Sequence, residues 1–579
     1  MSIRAVSICC LFLFSGLHCF AIDRAAFTFV NYNLDIRIEP DQQRLAARGT
    51  IELRNDSSSP QKNISLQISS SLHWSSILFA GQPVQVVFQP YISDIDHTGS
   101  LSEAIVSLPR ALEPRSLLEL EIGYEGTIPR DATRLTRLGV AEDEAGHTDW
   151  DRIDNSFTGV RGAGHVVWYP VAMEAASLTD PNGLFEMLGQ WQAREARAKM
   201  KLNFTYAGSA NAHRSLLCNG TADRSTADAS GAETMTCSFA SLETEIPAFV
   251  IGDYQTLDRP PVVVHYALIH QFTAQKYAAA VQKVAPFVAG WFGGTHGTVQ
   301  VADLPDEDAA AYENGGLLLT SLEDVSATQA EIVAVHQLTH AAFPSPRQWI
   351  FEGLAHFAQA LYAESQNGRK AALESMEPHR VAMIEAEKQL ASQRGGQEGR
   401  NSSGGRSIST ALVNTSVEEF YRSKAMYVWW MLRDMVGDAA LKKALTAYHP
   451  ENDKEPNYLQ HLVEAQAKRD LQWFFDDWVY HDRGLPDFRV YSVYPYQTPQ
   501  NTTMVTVMVE NLGSAGAEVP VTVRSAGEDV TRRIQVRGNS KNSIRIELAS
   551  APTEVVVNDG SVPESDMGNN RFEVESGKR

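Results

Sequence analysis

The period of the hydrophobic pattern changes twice along the chain, and this limits the folds open to it. Apolar and polar residues alternate from Phe27 to about Thr127, as in strands with one solvent-facing side. After Pro260-Pro261 a helical period dominates, and alternation returns from Asp487. The sequence therefore predicts a multidomain α+β protein, because 579 residues exceed what one hydrophobic core usually serves.

The N-terminus differs from the rest of the chain. Arg4, the apolar run at 6–14 and the ending Cys19-Phe-Ala21 are typical of a cleavable export signal. We therefore expect export to the periplasm or outside the cell, with cleavage near Ala21. The predicted segments are a signal peptide, an N-terminal β domain, a mostly helical domain and a C-terminal β-sandwich, over residues 1–21, 22–256, 257–485 and 486–579.

Helix signals are clearest in the third segment. Ser326 and Gln329 form a capping box that predicts a helix over 330–342, and Pro344 follows its end. A second helix is predicted over 347–363. The Gly- and Ser-rich stretch 394–409 predicts a mobile loop.

Charge and hydropathy exclude two classes of partner. The chain has 50 Lys and Arg against 70 Asp and Glu, a net charge of −20, so a nucleic-acid-coating surface is not expected. After the N-terminus, no segment has the ~18 uninterrupted apolar residues of a membrane-spanning helix.

Two of the five cysteines lie outside the predicted signal peptide. Cys218 and Cys237 flank a polar, turn-rich stretch, which in an exported chain predicts a local disulfide. Two free buried thiols are the alternative.

The segment Val335-His-Gln-Leu-Thr-His340 carries the first chemical signal. Residues four apart on a helix project from one face, so His336 and His340 can bind one metal ion. The pair alone is weak evidence, since 16 histidines in 579 residues give about 0.4 such pairs by chance. Two unrelated histidines on a polar helix face are the alternative.

Glu352 strengthens the case for a metal. It lies among apolar residues in Trp349-Ile-Phe-Glu-Gly-Leu-Ala355, where a carboxylate is costly unless it is paired or bound to a cation. Two imidazoles and one carboxylate leave the fourth position of a zinc ion open for water, as in catalytic rather than structural sites. We therefore expect one Zn²⁺ held by His336, His340 and Glu352.

These segments resemble the aminopeptidase N and leukotriene-hydrolase family of zinc peptidases, whose motif is His-Glu-x-x-His followed by a Glu in an Asn-Glu-Gly-Phe-Ala-like context. The 11 residues between His340 and Glu352 are a shorter interval than the family's usual one. The resemblance implies an N-terminal β saddle, a thermolysin-like catalytic domain and a β-sandwich. It also implies peptides or protein N-termini as partners.

Two further stretches support the resemblance. Ala310-Ala-Tyr-Glu-Asn314 is similar to the family's Gly-x-Met-Glu-Asn, which implies that Glu313 and Asn314 bind substrate and that Glu313 accepts the free α-amine. The family's oxyanion-stabilising Tyr lies two residues before a Lys, whereas Tyr421 lies three before Lys424.

The largest departure is Gln337, which stands where the family has its general base. An amide can accept a hydrogen bond from water but cannot carry its proton. General acid–base catalysis contributes roughly 10²–10⁴-fold, so we expect a zinc site that binds peptide N-termini with impaired hydrolysis.

Two other functions stay open at this point. An active aminopeptidase could use Glu313, Tyr421 or His356 as a substitute base. A non-enzymatic peptide- or protein-binding module would use the β domains and retain the zinc site as a relic.

Overall fold

The computed structural model describes residues 22–206, 214–225, 233–295, 297–397, 411–415 and 417–574. The predicted signal peptide and most of the predicted loop at 394–409 lie outside these residues. Across the described part of the chain, no helix is both long enough and apolar enough to cross a membrane.

The first region is mostly β-sheet, as the alternating pattern predicts. In β1, for example, Tyr32, Leu34, Ile36 and Ile38 are buried and the residues between them face outward. Its strands are β1 Phe27–Glu39, β2 Arg44–Asn55, β3 Gln61–Ser69, β4 Leu72–Phe79, β5 Gln82–Pro83, β6 Gln85–Ile92, β7 Ser100–Leu112, β8 Leu117–Thr127, β9 Thr158–Val160, β10 Lys199–Tyr206, β11 Ser215–Cys218, β12 Thr221–Ser225, β13 Glu233–Phe239 and β14 Phe249–Gly252.

These strands form a large sheet in the order β12-β13-β10-β1-β2-β8-β4-β5 and two smaller sheets, β3-β7-β6 and β11-β14-β9. Cys218 and Cys237 are bonded to each other in the structure. The helices of this region are α1 Thr133–Thr136, α2 Glu142–Thr148 and α3 Pro181–Glu195. Helix α3 has 15 residues, lies inside the β region and was not expected from the sequence.

The second region begins with a mixed sheet in the order β15-β16-β17-β19-β18. Strands β16, β17 and β19 are parallel, and the edge strand β18 runs antiparallel to β19. The strands are β15 Gln255–Arg259, β16 Val262–Tyr266, β17 Val299–Asp303, β18 Tyr312–Asn314 and β19 Leu317–Thr320.

Helices make up the rest of this region. The capping box predicted at Ser326 and Gln329 is confirmed, and the second predicted helix corresponds to α6. The helices are α4 Gln271–Phe292, α5 Ala327–Ala342, α6 Gln348–Asn367, α7 Arg369–Gln397, α8 Ala425–Val436, α9 Asp438–Thr446, α10 Tyr458–Ala467 and α11 Gln472–Phe475. A π-helical segment, Glu419–Lys424, leads directly into α8.

The last region consists of two small sheets that contact each other, β20-β21-β24 and β23-β22-β25-β26. Its strands are β20 Phe488–Gln497, β21 Thr503–Asn511, β22 Ala517–Ser525, β23 Asp529–Val536, β24 Ser540–Leu548, β25 Pro552–Val557 and β26 Arg571–Glu573. One continuous apolar core runs from Val262 to Val562, so these sheets pack onto the helical region. The indole of Trp478 bonds to the Gly516 carbonyl at 2.7 Å across this junction.

Close packing between α6 and α8 fixes the start of α6. A Cβ placed on Gly353 would lie 2.6 Å from the Ala425 Cβ and 3.1 Å from the Trp429 ring. Only a residue without a side chain fits there unless the helices separate.

We predict that Gly353→Ala lowers the thermal midpoint, because overpacking of this kind costs about 1–3 kcal/mol. Gly290→Ala in α4 is the matched control, since a Cβ there would meet nothing within 4 Å. The control should be neutral or slightly stabilising, because Ala is the better helix former. Equal midpoints for the two variants would contradict the packing argument.

Candidate metal centre

Three elements bring four chemically active side chains together. Helix α5 carries His336 and His340 one turn apart, and α6 carries Glu352 near its start. The edge strand β18 carries Glu313. His340 and Glu352 are buried, and the side chains of Glu313 and His336 are only 14% and 17% exposed.

The donor atoms converge. The Nε2 atoms of His336 and His340 lie 3.0 Å apart. The Oε1 atom of Glu352 is 3.7 Å from His340 Nε2, and its Oε2 atom is 4.0 Å from His336 Nε2. Nitrogen and oxygen donors at these separations could be bridged by one divalent cation.

Glu313 lies as close to His340 as Glu352 does. Its Oε2 atom is 3.7 Å from His340 Nε2, and the ligand atoms of Glu313, His336 and His340 all lie within 4.8 Å of one another. Asn314 is bonded to the N-terminal region instead, because its side-chain amide donates to the Ile246 carbonyl at 3.1 Å and to the Tyr312 hydroxyl at 2.7 Å. Asn314 thus anchors the strand that carries Glu313.

The electrostatics suit a cation. Burial lowers the pKa of His336 to about 3 and holds the pKa of His340 well below its usual value, so both rings are neutral at pH 7, as metal ligands must be. Burial, reinforced by the Glu352 carboxylate, raises the pKa of Glu313 to about 7. A bound dication would favour the ionised form of both carboxylates. The donor set therefore fits zinc.

Gln337 is buried, and its side chain lies between Tyr277 and Glu313. The Tyr277 hydroxyl donates to its Oε1 atom at 2.6 Å. The Gln337 side chain also lies close enough to the Glu313 carboxylate to oppose the rise in its pKa, and only the amide NH₂ can act as a donor there. Gln337 therefore lies between Tyr277 and Glu313 in the buried part of the site.

Sequence reasoning missed Tyr277 and Arg422. The Arg422 Nε atom donates to the Glu352 Oε2 atom at 3.1 Å, which supplies a positive charge beside that carboxylate. Arg422 lies between Tyr421 and Lys424, in a segment already singled out in the sequence. A cationic side chain in that segment could have been predicted to pair with a carboxylate of the site. Tyr277 offered no such signal, because its partner is 60 residues away.

Tyr421 lies in the π-helical segment before α8, where each turn holds one residue more than in an α-helix. The Tyr421 ring packs edge-on against Phe185 of α3, with ring centroids 5.8 Å apart, and burial raises its pKa. Its predicted role toward an oxyanion stays a prediction.

His356 follows Glu352 by one helical turn. Its Nε2 atom lies 3.9 Å from the Glu352 Oε2 atom, and among the described residues this nitrogen has no hydrogen-bond partner. Burial lowers its pKa to about 2, so the ring is neutral and a poor proton acceptor.

A cavity of about 290 Å³ opens beside Glu313 and His340. Leu184, Phe185 and Leu188 of α3 line it on one side. The unpredicted helix of the N-terminal region thus forms one wall of the space next to the donor cluster.

No protein-family model matches the sequence, and no protein of curated function matches it. Solved structures do. An M1 zinc metallopeptidase from Deinococcus radiodurans is 18% identical, with a TM-score of 0.53 over 80% of this chain and 95% of that chain. A mutant of a two-domain M1 zinc metallopeptidase bound to L-arginine is also 18% identical, with a TM-score of 0.54 over 80% and 96%.

A third solved structure is a mutant of the M1 zinc metallopeptidase from Deinococcus radiodurans, bound to a Tyr-Ser-Ala substrate. It is 18% identical, with a TM-score of 0.51 over 80% of this chain and 96% of that chain. At 18% identity, the structural similarity to these proteins shows the fold alone. The chain therefore has the multidomain α+β fold of the M1 zinc metallopeptidases, the aminopeptidase N family. This confirms the expected multidomain α+β fold class.

The neutral histidines predict a pH dependence of stability for the metal-free protein. Between about pH 3 and 6.5, His336 takes up a proton when the protein unfolds but not while it is folded, so stability falls as the pH falls through this window. We predict that His336→Gln reduces the loss of thermal midpoint between pH 7 and 4.

The matched control is His73→Gln, because the His73 side chain is 69% exposed. This control should keep the wild-type pH dependence. A His336→Gln variant with the full wild-type dependence would contradict a buried neutral ring at this position.

Proposed function

We propose that the protein is an exported zinc-binding protein with the M1 metallopeptidase fold, which binds peptide N-termini and hydrolyses them poorly. The observation that carries the proposal is the short distance between the side-chain donors of His336, His340 and Glu352, with an amide at position 337. We also propose the division into residues 22–256, 257–485 and 486–579 behind a signal peptide of residues 1–21. Bonded cysteines are consistent with export, because disulfides persist in oxidising compartments.

His336, His340 and Glu352 would hold the zinc ion. When bound, zinc supplies Lewis acidity that polarises a carbonyl or an attacking water. The protein itself contributes neutral imidazoles, a carboxylate oriented by Arg422 and a site removed from bulk solvent. Metal binding should survive the change at position 337, because residue 337 is not among the proposed ligands.

Binding of a peptide N-terminus is supported by Glu313 and by the cavity next to it. A buried carboxylate is a strong acceptor for an ammonium group. The two ligand-bound relatives hold an amino acid and a Tyr-Ser-Ala peptide. A cavity of about 290 Å³ has room for one side chain or a short peptide segment.

Impaired hydrolysis follows from the chemistry of Gln337. Its oxygen already accepts a hydrogen bond from the Tyr277 hydroxyl. The amide can neither accept a proton from water nor return one to a leaving amine. The missing proton transfer amounts to roughly 10²–10⁴-fold in rate.

Glu313 is the best candidate for a substitute base, which would make the protein an active aminopeptidase. Its carboxylate lies 3.7 Å from the His340 Nε2 atom, and a carboxylate beside the metal-binding donors can accept a proton from water. His356 is too weakly basic for this role. A non-enzymatic binding module is the third function, and it is the one that would require no bound metal.

We predict that Gln337→Glu increases the rate of aminoacyl-anilide cleavage by about 10²-fold or more, because it restores a base at this position. Zinc content measured by atomic absorption should stay at one ion per chain. Gln366→Glu is the matched control, since it adds the same charge at the exposed end of α6 and should leave the rate unchanged.

Two results would contradict the proposal. Wild-type protein that cleaves the anilide as fast as Gln337→Glu would favour an active enzyme with another base. Purified protein that takes up neither zinc nor Tyr-Ser-Ala would favour the non-enzymatic module.

A further inference from the structure

Glu313 is placed differently from a residue that only meets a substrate. Its Oε2 atom lies 3.7 Å from His340 Nε2, the same separation as that of the Glu352 Oε1 atom. Glu313 therefore reaches the donor cluster from the strand side, whereas Glu352 reaches it from α6.

The separations between donors can be compared with those of a closed metal site. Bonds of about 2.0–2.2 Å in a tetrahedral arrangement put neighbouring donors about 3.3–3.6 Å apart. The separations are 3.0 Å between the imidazoles, 3.7 Å from His340 to each carboxylate and 4.0 Å from His336 to Glu352. The ligand atoms of Glu313, His336 and His340 lie within 4.8 Å of one another without Glu352, so a bound cation would draw the two carboxylates closer together.

We propose that Glu313 is a fourth protein ligand to the metal when no peptide is bound, so that the site is closed. The proposal rests on the zinc site put forward above and assigns Glu313 a role in addition to amine binding. Two imidazoles and two carboxylates would then fill all four tetrahedral positions. A site with no position left for water is typical of structural rather than catalytic zinc.

Neighbouring residues hold Glu313 in this position. The Tyr277 hydroxyl fixes the Gln337 oxygen, which turns the amide nitrogen toward the Glu313 carboxylate. Asn314 ties the same strand to Ile246. Gln337 therefore acts as a positioning residue for Glu313, a role that a second carboxylate at position 337 would oppose by charge repulsion.

A closed site has a consequence for binding. The α-amine of a peptide and the metal would compete for the same carboxylate, so each would weaken the other's hold on Glu313. An incoming peptide would release Glu313 from the metal and thereby open the fourth position. Peptide binding and metal coordination are coupled in this account.

The test measures zinc affinity by competition with a chromophoric chelator for the full chain and for Glu313→Gln. Loss of a ligand should weaken zinc binding by at least about 100-fold, beyond the 10–100-fold typical of residues that only support ligands. Glu245→Gln is the matched control, because it makes the same substitution at a buried carboxyl beside Gly315 and should leave zinc affinity unchanged. Affinities of wild type and Glu313→Gln within about threefold would overturn the proposal.

A second measurement uses the wild-type chain and so does not depend on how the variant folds. Cobalt(II) is substituted for zinc, and azide is added while the visible absorption is recorded. A closed site should leave the wild-type spectrum unchanged, whereas the spectrum of Glu313→Gln should shift as azide takes the vacated position. An azide-dependent shift in wild type would overturn the proposal.

Failure of the proposed function and failure of this inference can be told apart. A wild-type chain that binds neither zinc nor cobalt removes the proposed function and this inference with it. A wild-type chain that binds zinc and loses no affinity on Glu313→Gln removes only the inference.

Discussion

The structure depends on the burial of two imidazoles and two carboxylates at one point between a strand and two helices. Groups of this kind are costly to remove from water unless a cation or hydrogen bonds compensate them. Arg422 compensates part of the charge of Glu352, and the Gln337 side chain, held by Tyr277, lies next to Glu313. The two carboxylates and the neutral imidazoles are donors that suit a divalent cation.

The scaffold around this cluster explains how the donors meet. Helix α5 is fixed at its start by the capping box of Ser326, and α6 is held close to α8 by Gly353. Strand β18 is tied to the N-terminal region through Asn314, so the relative position of two regions determines where Glu313 lies. Helix α3 adds a wall to the cavity on the same side.

Local signals in the sequence predicted the site residues that can be recognised from their own helix. Spacing placed His336 and His340 on one face, and the apolar context of Glu352 marked a carboxylate that needs a partner. The fold class followed from changes in hydrophobic period. Each of these features is a property of a short window, which is why sequence reasoning could find them.

The contacts that sequence reasoning missed are all long-range. Nothing near Tyr277 indicates that its hydroxyl bonds to Gln337, and nothing near Glu313 indicates its distance from His340. Helix α3 was missed although Leu184, Leu188 and Trp191 recur at helical spacing, because the surrounding strands dominated the pattern. Gln337 shows this most clearly, since its identity suggested a missing base and the structure adds a buried hydrogen bond to Tyr277.

The most direct test of the account is anomalous X-ray diffraction at the zinc edge from crystals of the zinc-loaded chain. The account predicts one strong peak whose position lies within about 2.0–2.2 Å of donor atoms from His336, His340 and Glu352. A zinc-loaded crystal with no peak there, or with these three side chains turned away from a common point, would contradict it.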